Sequence, residues 1–492
     1  VLEEYTSSKS HISWDGSIQI LAFSADTKDG LIDKINTFKN VFDKIDDVQE
    51  ASQTVAWLSH EARQNFTVEH NFRLLIVHKK DDSIHNNIDS ALECIEDSGS
   101  QRNVYFSSGP SKGEIGFLFP GQGSQYTGMG KDLISAFPEA MEALQKASDI
   151  FLTGKNKQKN KPLQDYIFPP PTHLQSKKDS EDQLRNTDIA QPSIGAISLA
   201  MVNVLKRFGV TPKTTCGHSF GELCALYSAG WIDEDSFFQL ATARGKYMAA
   251  AKSKDGDSGS MLAVRADLED IETLIKEEKL DLILANKNSR TQGVLSGPTD
   301  EIRRAKKICK QKKLQAIKLP VAAAFHSSLV KNAVTPFKKE LNSKTFSPTK
   351  IDVLSNTTGI PYEKKESDIK QVLGNQLISP VHFVDNIEKM FENNVATFIE
   401  VGPKAVLTGL TRSILKDNNI SAVSLDASSG KKSGIEDLAH TLCMAASKGF
   451  FVDIALWEDA VKKPTSKKMK IQLSGANQKP NHNSRASISN TK

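Results

Sequence analysis

Gly217-His218-Ser219-Phe220-Gly221-Glu222 is the stretch on which the reading of this chain turns. It sets a serine between two glycines, after a short β-like run at 213–216 and before a small-residue helical pattern at 223–229 that stops at Gly230. A strand that turns sharply into a helix thrusts the serine Oγ out above a sheet, and flanking glycines let strand and helix pack that closely. The turn also aims the next backbone N–H, and the positive end of the helix, at whatever the Oγ attacks. Ser219 therefore reads as a covalent nucleophile. The spacing alone arises often by chance, so the reading rests on the strand before it and the helix after it.

Outward from this turn, strand candidates at 115–119, 213–216 and 396–401 alternate with helical stretches at 194–208 and 236–251, as in a parallel sheet wound on both faces. Inside that region, 259–320 reads as strand 261–264, helix 268–278, strand 282–295, helix 299–312 and strand 316–319, a spacing that suits a ferredoxin-like insertion. Upstream, 18–23 and 72–78 as strands and 30–42 and 84–95 as helices make a small α/β unit without evident chemistry. The polar stretch at 153–187, which contains Pro169-Pro170-Pro171, reads as a mostly irregular surface excursion. Residues 462–492, rich in Lys, Ser and Asn, read as a disordered tail.

The bulk composition excludes several classes. The 492 residues suffice for two or three cores. The 63 basic residues stand against 59 acidic ones and are scattered rather than striped, which argues against nucleic acid as partner. The five cysteines, Cys94, Cys216, Cys224, Cys309 and Cys443, are far apart, with neither metal-ligand spacing nor a disulfide framework, and a reducing cytoplasm is expected. No apolar run approaches the roughly 18 residues of a membrane span, and no signal pattern opens the chain. Its first residue is Val rather than Met, which suggests a piece of something longer.

Four further segments accompany the serine turn. Phe119-Pro120-Gly121-Gln122-Gly123-Ser124-Gln125 follows the first strand of the sheet, and Arg244-Gly245-Lys246-Tyr247-Met248 lies on the second helix after the turn. Ala324-Phe325-His326-Ser327 follows the insertion, and Glu400-Val401-Gly402-Pro403 ends a late strand. In this order the five motifs resemble the malonyl-CoA:acyl carrier protein acyltransferases of fatty acid and polyketide synthesis, over roughly 115–425. The excursion before Ala190-Gln191-Pro192, and Leu473-Ser474-Gly475-Ala476-Asn477, more narrowly resemble the acyltransferase of polyunsaturated fatty acid synthases.

The resemblance implies an α/β-hydrolase-like parallel sheet at 113–258 and 321–425, a ferredoxin-like subdomain at 259–320, and a small α/β linker domain at 1–112 like that between ketosynthase and acyltransferase. A post-acyltransferase segment at 426–461 and the tail complete the chain. The implied reaction moves a malonyl group from malonyl-CoA to the phosphopantetheine thiol of an acyl carrier protein. It needs no bound cofactor and no metal, and the carrier domains and a ketosynthase domain are the implied partners.

The residues and the resemblance agree on roles. Ser219 would carry the acyl group, and His326 would take and return its proton. The backbone N–H groups of Gln122 and Phe220 would form the oxyanion hole. In this family a main-chain carbonyl holds the histidine, and Pro380-Val381-His382-Phe383 matches the segment expected to supply it, at His382. Arg244 would grip the malonyl carboxylate, because a guanidinium offers two parallel donors. Met248, Phe325 and Asn286 are expected to line the substrate pocket, and Asn356 also matches a family position. Ala323 stands where malonyl-type sequences often have histidine, which leaves acetyl or methylmalonyl donors as alternatives. A serine thioesterase or hydrolase shares the turn but would need a triad acid and has no use for Arg244. A carrier-docking module without activity would have no use for the intact Ser219, His326 and Arg244.

Overall fold

The computed structural model describes residues 12, 15–43, 45, 48–97, 101–153, 161–170, 176–251, 257–321, 323–458, 461 and 463. The tail expected to be disordered thus lies, apart from Lys463, outside the described residues.

Three strands open the chain: β1 (Ile18–Ala25), β2 (Phe72–Lys79) and β3 (Val104–Ser108), an antiparallel sheet in the order β1-β2-β3. Alternate residues serve different cores. Leu21, Phe23, Leu74 and Ile76 pack with the helices Lys28–Phe42 and Ile84–Asp97, whereas Ile18, Ile20, Leu75 and Val77 join the main core of the molecule. Burial on both faces explains why the middles of β1 and β2, residues 20–23 and 74–77, are continuous apolar runs rather than alternation. The helix Val48–Gln64, which the sequence reading omitted, is part of the same unit.

The main sheet begins with β4 (Glu114–Phe119) and β5 (Thr214–Gly217). Between β5 and the rest of that sheet comes a second antiparallel sheet of β6 (Ser260–Arg265), β7 (Ile283–Ser289), β8 (Gln292–Gly297) and β9 (Gln315–Lys318) in the order β7-β8-β6-β9. With the helices Leu268–Glu277 and Thr299–Gln311 this is the βαββαβ ferredoxin-like unit. The single strand expected at 282–295 is in fact the β7–β8 hairpin. Its turn falls at Arg290-Thr291, where the polar run Asn288-Ser289-Arg290-Thr291 interrupts the apolar residues, and Ser289 pairs with Gln292 across it.

The main sheet resumes with β10 (Asp352–Leu354), β11 (Val395–Glu400) and β12 (Ser421–Ser424), giving five parallel strands in the order β10-β5-β4-β11-β12. Phe119 pairs with Gly217, and Leu118 with both Cys216 and Glu400, so the carboxyl ends of β4, β5 and β11 are level. Loops leaving those three ends therefore emerge side by side, as ligand sites in open α/β sheets require.

Contrary to the expectation that no apolar run approaches a membrane span, the helix Thr187–Arg207 meets the length and apolarity of one. Of its most apolar window, 89% is buried inside the protein, where it packs chiefly against the helices Pro138–Phe151 and Glu234–Ala250. The excursion at 153–187 is less irregular than expected. It contains the helices Leu163–Ile167 and Lys177–Leu184, anchored by fully buried Leu163, Ile167 and Leu184, the second with a capping box between Ser176 and Asp179. Residues 154–160 and 171–175 of that stretch lie outside the described ones.

Candidate active site

The turn after β5 is as tight as its glycines suggest. A Cβ on Gly217 would lie 1.9 Å from the Gly221 carbonyl carbon, and one on Gly221 would lie 2.0 Å from the Phe119 oxygen, so only hydrogen fits at either place. Ser219 sits at a left-handed φ of 52°. Such strain costs about 1–3 kcal/mol and persists only where neighbours over-determine the turn. Asn356 does this here. Its Oδ1 accepts from the Ser219 N–H at 2.6 Å and its Nδ2 donates to the Gly217 oxygen at 2.6 Å. Loop asparagines are ordinarily turn residues, but this one clamps the nucleophile.

Ser219 Oγ lies 2.8 Å from His326 Nε2. On the far side of the ring, Nδ1 is 3.0 Å from the carbonyl oxygens of both Gln376 and Ser379. Carbonyls only accept, so Nδ1 carries the hydrogen and Nε2 presents its lone pair to the serine hydroxyl. Burial, and then the nearby Arg244 charge, push His326 down to about 3. The ring is therefore a neutral base throughout the physiological range.

Those two carbonyls correct the expectation for His382. The chain curls through a 3-10 turn at Gln376–Ile378, which turns the oxygens of Gln376 and Ser379 toward His326. Beyond Ser379 it departs to meet β7, with Val381 N–H donating to Ala285 and Val381 oxygen accepting from Lys287. His382 instead caps the helix Phe383–Glu392, with its N–H on Asn356 oxygen and its ring 2.7 Å from Asp385. Among the described residues no carboxylate contacts His326, whereas a hydrolase triad would put one at Nδ1.

Arg244 comes from the helix Glu234–Ala250 and is 1% exposed. Its NH1 donates to Gln191 Oε1 at 2.9 Å, and its NH2 donates to Gln376 Oε1 at 2.8 Å and reaches Ser219 Oγ at 3.4 Å. Among the described residues, its Nε is buried without a partner. Desolvation pulls the guanidinium down to about 10, still a cation at neutral pH. A buried cation with a spare donor beside a nucleophile suits an anionic group on the substrate.

The loop after β4 runs against the elbow. A Cβ on Gly121 would meet His218 oxygen at 2.4 Å and Phe220 nitrogen at 3.6 Å, which brings the Gln122 and Phe220 backbones to the same place. The Gln122 side chain turns away to Arg185 oxygen and Thr187 Oγ1. A cavity of about 210 Å³ opens here between the main sheet and the ferredoxin-like unit, lined by Gln122, His218, Asn286, Asn288, Val406 and Leu410 among others. Asn286 lies 3.5 Å from His218 Nε2, and its Oδ1 is buried without a partner among the described residues. Met248 and Phe325 lie in the main core rather than in this cavity's lining. Met248 Sδ sits 3.5 Å from the Gln191 amide that holds Arg244, and Phe325 directly precedes His326.

Four groups escape the sequence reading. Glu222 stands in the quoted turn with no role assigned from sequence. It is fully buried, pushed up to about 7 by desolvation, and bonded to Tyr362 hydroxyl, to Gln376 Nε2 at 2.6 Å and to Asn356 N–H at 3.3 Å. Gln191 appears there only as part of a segment. Gln376 and Ser379 act on His326 through main-chain atoms, which carry no residue signature.

Comparison with known proteins agrees with this geometry. The family described as "Acyl transferase domain" matches residues 116–437. The chain is 33% identical over 314 residues to the malonyl CoA-acyl carrier protein transacylase of Bacillus subtilis, which covers 63% of this chain and 93% of that protein. It is 29% identical over 343 residues to one of the polyunsaturated fatty acid synthase polypeptides of a Thraustochytrium species, covering 68% of this chain and 12% of that much longer protein. In fold it is similar to the acyltransferase domain from the second module of the salinomycin polyketide synthase, with a TM-score of 0.66 and 24% identity over 91% of this chain and 96% of that one.

Proposed function

This chain belongs to the acyl transferase domain family, and from that premise we propose that it transfers malonyl groups from malonyl-CoA to the phosphopantetheine thiol of an acyl carrier protein. One observation carries the reading. The Ser219 Oγ stands 2.8 Å from a neutral imidazole and 3.4 Å from a buried guanidinium, so nucleophile, base and carboxylate partner meet at one point.

His326 Nε2 takes the hydroxyl proton as Ser219 Oγ adds to the thioester carbonyl. The oxyanion that forms is held by the N–H groups of Gln122 and Phe220. On collapse the C–S bond breaks, and the imidazolium returns its proton to the departing CoA thiolate. In the second half the carrier thiol gives its proton to His326 and attacks the malonyl ester, and Ser219 leaves with that proton. The two main-chain carbonyls at Nδ1 support the imidazolium in both transition states without adding a charge that would compete with the substrate's carboxylate for Arg244.

The curated relatives support this reading at two scales. One is a transacylase of which the chain matches 93%, and another a synthase of which it matches 12%. We place the chain as one domain of a cytoplasmic fatty acid or polyketide-type synthase, with a ketosynthase as neighbour and no bound cofactor. Initial rates with malonyl-CoA and a holo-carrier protein as varied substrates test the mechanism. Parallel double-reciprocal lines are expected, and intersecting lines, which signify a ternary complex, would contradict it.

A further inference from the structure

Arg244 is surrounded in an unusual way for a buried cation. Among the described residues no carboxylate lies within ion-pair distance of it, and its closest partners are the neutral amides of Gln191 and Gln376, with Ser219 Oγ farther off at 3.4 Å. The nearest acid, Glu222, is equally buried but bonds to Gln376 Nε2 instead. Gln376 thus stands between the acid and the guanidinium. An amide can do this because it has one accepting and one donating end. Oε1 must face Arg244, which only donates, so Nε2 faces Glu222 and the Ser219 oxygen, at 2.6 and 2.7 Å. The same residue lends its main-chain carbonyl to His326.

We propose that the Gln376 side chain is the positioning residue for donor choice: it fixes the Arg244 guanidinium over Ser219 while keeping Glu222 from neutralising it, so that the charge stays open to a substrate carboxylate. This rests on the malonyl reading above and adds to it the residue that sets the selectivity. An apolar replacement removes the acceptor at NH2 and lets Arg244 swing toward Glu222. A carboxylate in its place pairs with Arg244 internally. Either change penalises malonyl donors more than acetyl donors, whereas the main-chain carbonyl on His326 is retained in both.

The test is kcat/KM for acylation by malonyl-CoA and by acetyl-CoA in the full chain, for wild type, Gln376→Met, Gln376→Glu and Arg244→Ala, with melting curves to confirm folding. Whatever loss the two donors share, the malonyl-to-acetyl ratio is expected to fall at least tenfold in Gln376→Met. In Gln376→Glu it should fall further as pH rises from 6 to 8.5 and the introduced carboxyl ionises. A loss confined to stability or common to both donors does not move this ratio. A ratio within threefold of wild type in the Gln376 variants, with Arg244→Ala collapsing it, would overturn the proposal and leave the malonyl reading standing. A ratio unchanged in Arg244→Ala as well would overturn the malonyl reading itself.

Discussion

Arg244 keeps its charge where burial opposes it, and the compensation within the protein is incomplete: two amides and, among the described residues, no anion. A substrate carboxylate completes the set. Truncating one member of such a desolvated pair typically costs about 2–5 kcal/mol. Arg244→Ala is therefore expected to lower malonyl transfer by about two to three orders of magnitude, while acetyl transfer changes little or rises. Rates for the two donors side by side check this, and an equal decline would mark Arg244 as structural. Burial acts on His326 as well. Its ordinary value is 6.5, and in the folded protein it lies near 3, so between these values the unfolded chain binds a proton that the native site refuses. Stability contributed by this group is thus present above pH 6.5 and declines as pH falls toward 3. Activity follows the folded value, and kcat/KM for acylation should show no inflection near 6.5 and stay level down to about pH 5. A rate halved at pH 6.5 would mean that the imidazole is solvated. Ser219, His326, Arg244 and Gln122 were legible because side-chain chemistry and flanking glycines mark them. The partners of His326 were not, since any residue can present a carbonyl, and Pro380-Val381-His382-Phe383 begins just past the carbonyls of Gln376 and Ser379 that hold it.

At the scale of elements, the β5 turn and the helix Gly221–Ser228 place the nucleophile, and their closeness depends on two missing side chains. A methyl at position 221 meets the backbone of β4, which cannot rotate away. Gly221→Ala should therefore cost about 1–3 kcal/mol or more by overpacking and move Ser219 off its line to His326. A urea midpoint and an acylation rate read the two effects together, and a variant with wild-type values of both would show that the contact relaxes freely. This element was readable from sequence because periodicity changes from strand to helix across one glycine pair. The β7–β8 hairpin was not, because a short polar turn between two apolar runs looks like a flaw in one long strand. The helices Leu163–Ile167 and Lys177–Leu184 were hidden for a different reason. Each buries only one or two apolar side chains among many polar ones, so tertiary contacts rather than pattern decide them.

In the whole molecule, the amino-terminal unit is joined to the main sheet by the segment after β12. Arg63 pairs with Glu458 at 3.0 Å, Trp457 Nε1 donates to Ile18 oxygen and Arg73 Nε to Ser447 oxygen. The helix Gly434–Ser447 lies against β1, β2 and β3. Composition and pattern revealed the units but not that one sheet would be buried on both faces, because that depends on a helix more than 300 residues away. The register of β4 and β5 holds level the strand ends from which Gln122 and Ser219 emerge, and the chemistry converges on Ser219. The most direct measurement is intact mass of the full chain after brief exposure to malonyl-CoA, followed by peptide mapping. One added malonyl group is expected on Ser219 of the wild type and none on Ser219→Ala. An adduct that persists in the alanine variant, or that maps to another residue, would contradict it.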